Sequence, residues 1–347
     1  MKKHGLVFII FNLLFSVITT AHPSNLSEVG ISVSVQQELF PVIAKVVAEG
    51  KNSQSNTLST VQWRVRNTAA DSVCITVTSE IPDWTSPSIS QIYLGPHESK
   101  EYCQTPFGRD LLSKHSTIPA TIILNAKIED NIIFAETRKI KIRSADEMIW
   151  SLNNPYDMTM LIAAWVTPND DLVEKVLSNA KEKLYERSLS GYQNPNVMSQ
   201  VKAIFNSVRN FKVSYVSSTM SFGNVGFTQR VRLPRESITQ KSANCIDGTV
   251  LFASLFENIG LESMIVLIPG HAFVGVRLAP NSSETLFIET TMVGRRILDS
   301  ILTLKTTFDA AVEEGSTKYN NALNADPNSV KIIDVKRARE IGIYPLW

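Results

Sequence analysis

The sequence predicts an α+β chain in two parts: an antiparallel β-sandwich, followed by a mixed domain of helices and strands. Three observations carry this expectation. Between about Ile31 and Arg143, short apolar–polar alternations are separated by turn residues, with no helical period. From Ser144 onward, apolar residues recur at three- and four-residue spacing. Beyond Gly260, strand-like alternation returns. The expected divisions are 1–21 for a leader, 28–145 for the sandwich and 146–347 for the mixed domain.

In the first part, Val61–Val65, Cys74–Thr78, Ala120–Leu124 and Phe134–Ile142 alternate as half-buried strands do. Gly95-Pro96 and Gly50-Lys51-Asn52 supply turn chemistry between segments. Strands at this spacing suggest two packed antiparallel sheets, immunoglobulin-like in character. Trp63 and Trp84 are expected in the core. This part carries no catalytic constellation and reads as an adaptor or binding module.

In the second part, Thr167-Pro168-Asn169-Asp170 reads as a helix start, with proline in the first helical position. Leu172, Val173, Val176, Leu177, Ala180 and Leu184 form the stripe of that helix. Ser190–Pro195 ends it, and Val197, Val201, Ile204, Phe205 and Val208 form the next stripe. Phe211–Ser217 alternates like a strand, and Phe222–Ser242 reads as loop, its Arg230 and Arg232 on a solvated face. A helix then opens at Asn244-Cys245, buries Ile246, Val250, Leu255, Phe256 and Ile259, and stops at Gly260. Met264–Ile268, Ala272–Leu278 and Thr285–Ile288 read as strands, and Asp299 to about Ala325 as a helical tail.

Lys2, Lys3 and His4 precede an apolar run from Leu6 to Val17, and Thr19-Thr20-Ala21 offers small residues for cleavage. That is the pattern of a secretory signal peptide cut after Ala21. The apolar run is short for a bilayer span, and no later segment is long and apolar enough to be one. A periplasmic or secreted protein is expected, with no stable membrane insertion after cleavage.

The 34 basic and 33 acidic side chains nearly cancel, which argues against nucleic acid as a partner. With 44% hydrophobic and 19% charged residues, the chain reads as globular. No Gly-rich phosphate loop, dinucleotide fingerprint or twelve-residue calcium loop is present, and no Cys or His pair has metal-ligand spacing. Neither cofactor nor metal is expected. In an oxidising compartment, Cys74 and Cys103 could form a disulfide, which leaves Cys245 as the odd thiol.

Cys245 is where the chemistry concentrates. A nucleophilic cysteine acts as a thiolate, whereas a free thiol titrates near about 8.5. Asn244 would cap a helix beginning at Cys245, and the unpaired amides and dipole there favour negative charge. The same amides could hold a tetrahedral oxyanion. Of five histidines, His4 lies in the leader, His22 heads the mature chain, and His97 and His115 fall in the strand-rich region. His271 is then the candidate base. Glu289, late in an apolar strand, would orient its imidazole. Asp247, two residues past Cys245, would face elsewhere and support the helix start.

Asn244–Leu251, the helix end Ile259-Gly260-Leu261, Gly270–Val274 and Ile288–Thr291 together resemble the core of the transglutaminase-like superfamily. The resemblance spans roughly 197–294. It implies a papain-like arrangement in which Cys245 is nucleophile, His271 base and Glu289 orienting acid. Glutamate stands where that family usually has aspartate, and Phe273 where tryptophan often follows the histidine. The thiol chemistry and the resemblance lead to an expected exported cysteine hydrolase, an amidase or peptidase working through a thioester. Its substrate would be a protein or peptide in the cell envelope or outside the cell. Amine acyl transfer and a catalytically inactive envelope interaction protein are the alternatives.

Overall fold

A computed structural model describes residues 28–49, 58–151, 157–217, 228–299 and 302–347, with the backbone alone at 296–299 and 302–305. The expected leader, 1–21, lies outside the described residues. The chain divides into two compact units. The first comprises the described residues of Met1–Leu39, Ser53–Leu111 and Ile118–Ile142. The second comprises those of Phe40–Asn52, Leu112–Thr117 and Arg143–Trp347.

The first unit holds strands β1 (Val29–Val35), β2 (Glu38–Leu39), β3 (Val61–Asn67), β4 (Val73–Glu80), β5 (Ser88–Leu94), β6 (Ser99–Gln104), β7 (Ile118–Ile128) and β8 (Asn131–Ile142). They form a three-stranded sheet, β1-β3-β6, and a five-stranded sheet, β2-β8-β7-β4-β5. Every pairing is antiparallel except β2 with β8. Alternation decides which face is buried: Val61, Trp63 and Val65 of β3 point inward, as do Ile75 and Val77 of β4. Trp63 meets Phe134 of the other sheet edge-on, with ring centroids 5.8 Å apart. Between the sheets, buried Gln104 accepts from Trp63 Nε1 at 2.9 Å and from Ser79 Oγ at 2.9 Å, and donates to Val77 O at 3.2 Å. A buried amide with these partners is satisfied, so it joins the layers without a desolvation penalty.

The bridge expected between Cys74 and Cys103 is not formed; both are free thiols. Cys74 alternates with buried Ile75 on β4, and Cys103 with buried Gln104 on β6. Each therefore points out of its own sheet, Cys74 opposite Tyr93 and Cys103 opposite Gln62. Trp84 is half-buried, outside the core expected for it.

The second unit begins with α1 (Pro41–Glu49), a helix inside the stretch expected to be all strand. The unit continues with β9 (Glu147–Ile149), α2 (Asp171–Lys181), α3 (Val197–Asn210), β10 (Ser214–Tyr215), β11 (Thr228–Arg230), α4 (Pro234–Gln240), β12 (Ser242–Ala243) and α5 (Cys245–Asn258). It ends with β13 (Ser263–Ile268), β14 (His271–Arg277), β15 (Thr285–Ile288), β16 (Arg296–Asp299), β17 (Leu302–Lys305), α6 (Phe308–Ala325), β18 (Lys331–Asp334) and α7 (Val335–Glu340). The N-cap of α2 is Asp170, whose carboxylate accepts from Leu172 N at 2.9 Å; the expected start at Thr167 lies three residues too early. Pro234 opens α4 within the expected loop, with Glu236 accepting from Leu233 N at 2.8 Å. The helical tail begins only at Phe308, after the β16–β17 hairpin.

The antiparallel sheet β15-β14-β13-β18 and helix α5 form the centre of this unit. All residues of α5 from Cys245 to Phe256 are buried. A helix buried on every side needs apolar or fully paired residues all round, and its sequence supplies them.

Candidate active site

Three elements of the second unit deliver the expected site residues. Cys245 is the first residue of α5, His271 the first of β14, and Glu289 follows β15 directly. The start of α5 is fixed by reciprocal capping: Asn244 Oδ1 accepts from Asp247 N at 2.9 Å, and Asp247 Oδ2 accepts from Asn244 N at 3.1 Å. Asp247 is fully buried and is also held by Arg232, whose backbone N and Nη1 each donate at 2.9 Å. Burial still pushes its carboxyl above the ordinary value, against the opposing bonds from Arg232 and Asn244. Arg232 thus anchors the α5 start and is half-buried, off the solvated face expected for it, whereas Arg230 is exposed as expected and pairs from there with buried Asp146.

His271 and Glu289 meet directly, with Nε2 2.5 Å from Oε2. The register explains the approach: Val274 opposes Ile288, so His271 and Glu289 fall on one face at the same end of the β14–β15 ladder. Glu289 is only 1% exposed, whereas His271 keeps 18% of its side chain accessible. The other carboxylate oxygen accepts from Thr291 N at 3.0 Å and Thr291 Oγ1 at 2.6 Å. Burial alone would raise the Glu289 carboxyl, but the bonds from His271, Lys318 and Thr291 outweigh it and hold the group at about 2. Glu289 is therefore an anion, and the imidazole's Nδ1 is the ring atom left to face other partners.

Cys245 reaches this pair through the backbone. Its sulfur lies within hydrogen-bonding distance of the amide of Ala272, the residue after His271. The thiol is fully buried, and burial pushes it up to about 12 despite the amides of Ala272 and Ile246, with the Glu289 and Asp247 charges adding to the rise. The lowering expected from the helix N-terminus is thus outweighed: the resting group is a neutral thiol.

Lys318 was not foreseen. It stands on α6, beyond the 197–294 stretch of the resemblance, and donates to Glu289 Oε2 at 2.7 Å. Its spacing from Glu314 makes it read as half of a solvated helix pair. The signal available was Gly315, an isolated glycine in a helical pattern, which implies close packing. A Cβ there would stand 2.7 Å from the carbonyl oxygen of Phe287.

His115, assigned from sequence to the strand-rich part, belongs to the second unit. With Asp146 and Glu236 it forms the one group of possible metal ligands among the described residues. The Arg230 guanidinium already bonds Asp146 Oδ2 at 2.5 Å, so a positive charge occupies the place a cation would take.

No protein-family model matches the chain, and neither does any curated protein. Among solved structures, one similar chain is a candidate cysteine protease from Cytophaga hutchinsonii: 12% identity and TM-score 0.24, over 76% of this chain and 81% of that one. Another is the exo-β-D-glucosaminidase CsxA, at 13% identity and TM-score 0.19, over 48% of this chain and 18% of that one. This chain therefore spans under a fifth of the glucosaminidase. At such TM-scores neither likeness carries fold or function across.

Proposed function

We propose that this protein is an exported cysteine hydrolase that cleaves amide or isopeptide bonds through a thioester on Cys245. The observation that carries the reading is the 2.5 Å pairing of His271 with a buried anionic Glu289, on the strand whose next amide touches the Cys245 sulfur. The protein then has a transglutaminase-like, papain-like core over about 197–294, and an immunoglobulin-like sandwich serving as a binding module. Export rests on the Lys2-Lys3 leader pattern with its small residues at 19–21.

Because the thiol rests protonated, attack and proton transfer are coupled. The sulfur forms a bond to the carbonyl carbon while its proton passes to His271 Nδ1, and the carbonyl oxygen becomes an oxyanion near the α5 amides. Glu289 stabilises the imidazolium that results. On collapse the C–N bond breaks and the amine leaves with the proton from His271. Water then attacks the thioester, giving its proton through His271 to the sulfur and releasing the acid.

Full burial of Cys245 favours a second reading, an envelope interaction protein whose thiol is inert. Incubation with p-nitrophenyl acetate at neutral pH, followed by acid quenching and peptide mass mapping, separates the two. The hydrolase reading expects a hydroxylamine-labile acetyl group on Cys245, absent in Cys245→Ala. No acyl group on that sulfur would leave the interaction protein standing. A dansylated amine in the same incubation, with a glutamine-containing peptide as acyl donor, reports transfer in place of hydrolysis.

A further inference from the structure

Helix α6 is docked against the end of β15 by three separate features. Glu289 N donates to Ala311 O at 2.9 Å, Gly315 brings the helix backbone against Phe287, and Tyr319 stacks on Phe287 with ring centroids 4.1 Å apart. Lys318, three residues beyond Gly315, shares its helix face. Its ammonium is consequently delivered to the carboxylate by packed elements, unlike that of a freely swinging surface lysine.

Glu289 Oε2 accepts from both His271 Nε2 at 2.5 Å and Lys318 Nζ at 2.7 Å, while Nζ stands 3.3 Å from Nε2. A lysine ammonium has only protons to offer, so this spacing brings a fixed positive charge against the ring. We propose that Lys318 is a positioning residue of this site, sharing the Glu289 carboxylate with His271 and so holding the imidazole in the neutral form that can accept a thiol proton. Its catalytic importance rests on the hydrolase reading; the electrostatic contact does not.

The sign follows from the charges. A like charge this close disfavours the imidazolium, and Lys318 also takes part of the carboxylate's attraction away from it. Among the described residues, the ionisable groups around the ring are Glu289, Lys318, Glu314 behind Lys318 at 3.5 Å, and the Cys245 thiol at the start of α5. Of these, Lys318 alone is a cation. Its removal leaves Glu289 bonded to His271 and Thr291, with no opposing positive charge.

Histidine side-chain NMR on the full chain tests this without needing a substrate. The His271 resonance is assigned by its loss in His271→Gln, and its midpoint is followed with pH in the parent chain, Lys318→Met and Lys318→Arg. The expected result is a rise of about one pH unit or more in Lys318→Met, with a return toward the parent value in Lys318→Arg. Unmoved His97 and His115 resonances report an intact fold, and Lys318→Gln replaces the methionine variant if that one does not fold. A midpoint that stays put or falls without the lysine, or that moves equally with arginine, overturns the proposal. Acylation of Cys245 is judged separately: an unreactive sulfur defeats the hydrolase reading, while the titration still decides the Lys318 contact.

Discussion

Nε2 of His271 lies 2.5 Å from Oε2 of Glu289, joining the first residue of β14 to the residue that ends β15. The carboxyl in this pair titrates at about 2 in the folded chain, against an ordinary 4.5. A depressed folded value contributes stability that is present above the ordinary value and lost as pH falls toward the folded one. Urea midpoints should therefore drop between about pH 4.5 and pH 2, and drop less steeply in Glu289→Gln. Parallel curves for the two proteins would show that the pair does not stabilise the fold.

Arg232 and Asp247 give a second test. Arg232→Ala leaves a fully buried carboxylate with only backbone partners. Loss of one member of a buried ion pair typically costs about 3 kcal/mol or more. Urea unfolding followed by circular dichroism should show a loss of that order. A change within about 0.5 kcal/mol, the usual range for surface substitutions, would mean that Arg232 does not hold the start of α5.

Gly248 lies in the first turn of α5, and a Cβ there would stand 2.8 Å from Thr290 Oγ1 and 3.2 Å from its Cβ. Alanine is the better helix former by about 1 kcal/mol, yet overpacking typically costs about 1–3 kcal/mol. Gly248→Ala should destabilise, and adding Thr290→Ala should recover most of the loss. A single variant more stable than the parent would mean that α5 and the turn Thr290–Met292 leave room for the added methyl group.

The thiol makes a prediction in the opposite direction to reactivity at rest. With Cys245 pushed up to about 12, its thiolate fraction at pH 7 is about a thousandfold below that of an ordinary thiol. In native protein, iodoacetamide should modify half-buried Cys74 well before Cys245, and urea should abolish the difference. Rapid alkylation of native Cys245 at neutral pH would contradict a buried, protonated resting thiol.

The site was legible in sequence where local chemistry fixes it. Asn244 before Cys245 announced a capped helix and Gly260 its end, and the strand readings around His271 and before Glu289 match β14 and β15, whose ends bring those two side chains to 2.5 Å. What sequence could not supply was environment. The thiol's ionisation depends on burial by residues distant in the chain, and that desolvation defeats the local effect of the helix terminus. Arg232 looked solvated because its carboxylate partner, Asp247, lies 15 residues away, and Lys318 carried no local signal because Glu289 lies 29 residues away. The short helices α1 and α4 escaped a reading based on period, since a turn or two presents too few apolar positions to define one.

The proposed chemistry requires that the Cys245 sulfur draw on the His271 imidazole. The direct measurement is the rate of Cys245 acylation by p-nitrophenyl acetate at pH 7, in the parent chain and in His271→Ala. General-base assistance predicts a fall of about a hundredfold or more without the imidazole. Equal rates in the two proteins would mean that the sulfur acts without its proposed base.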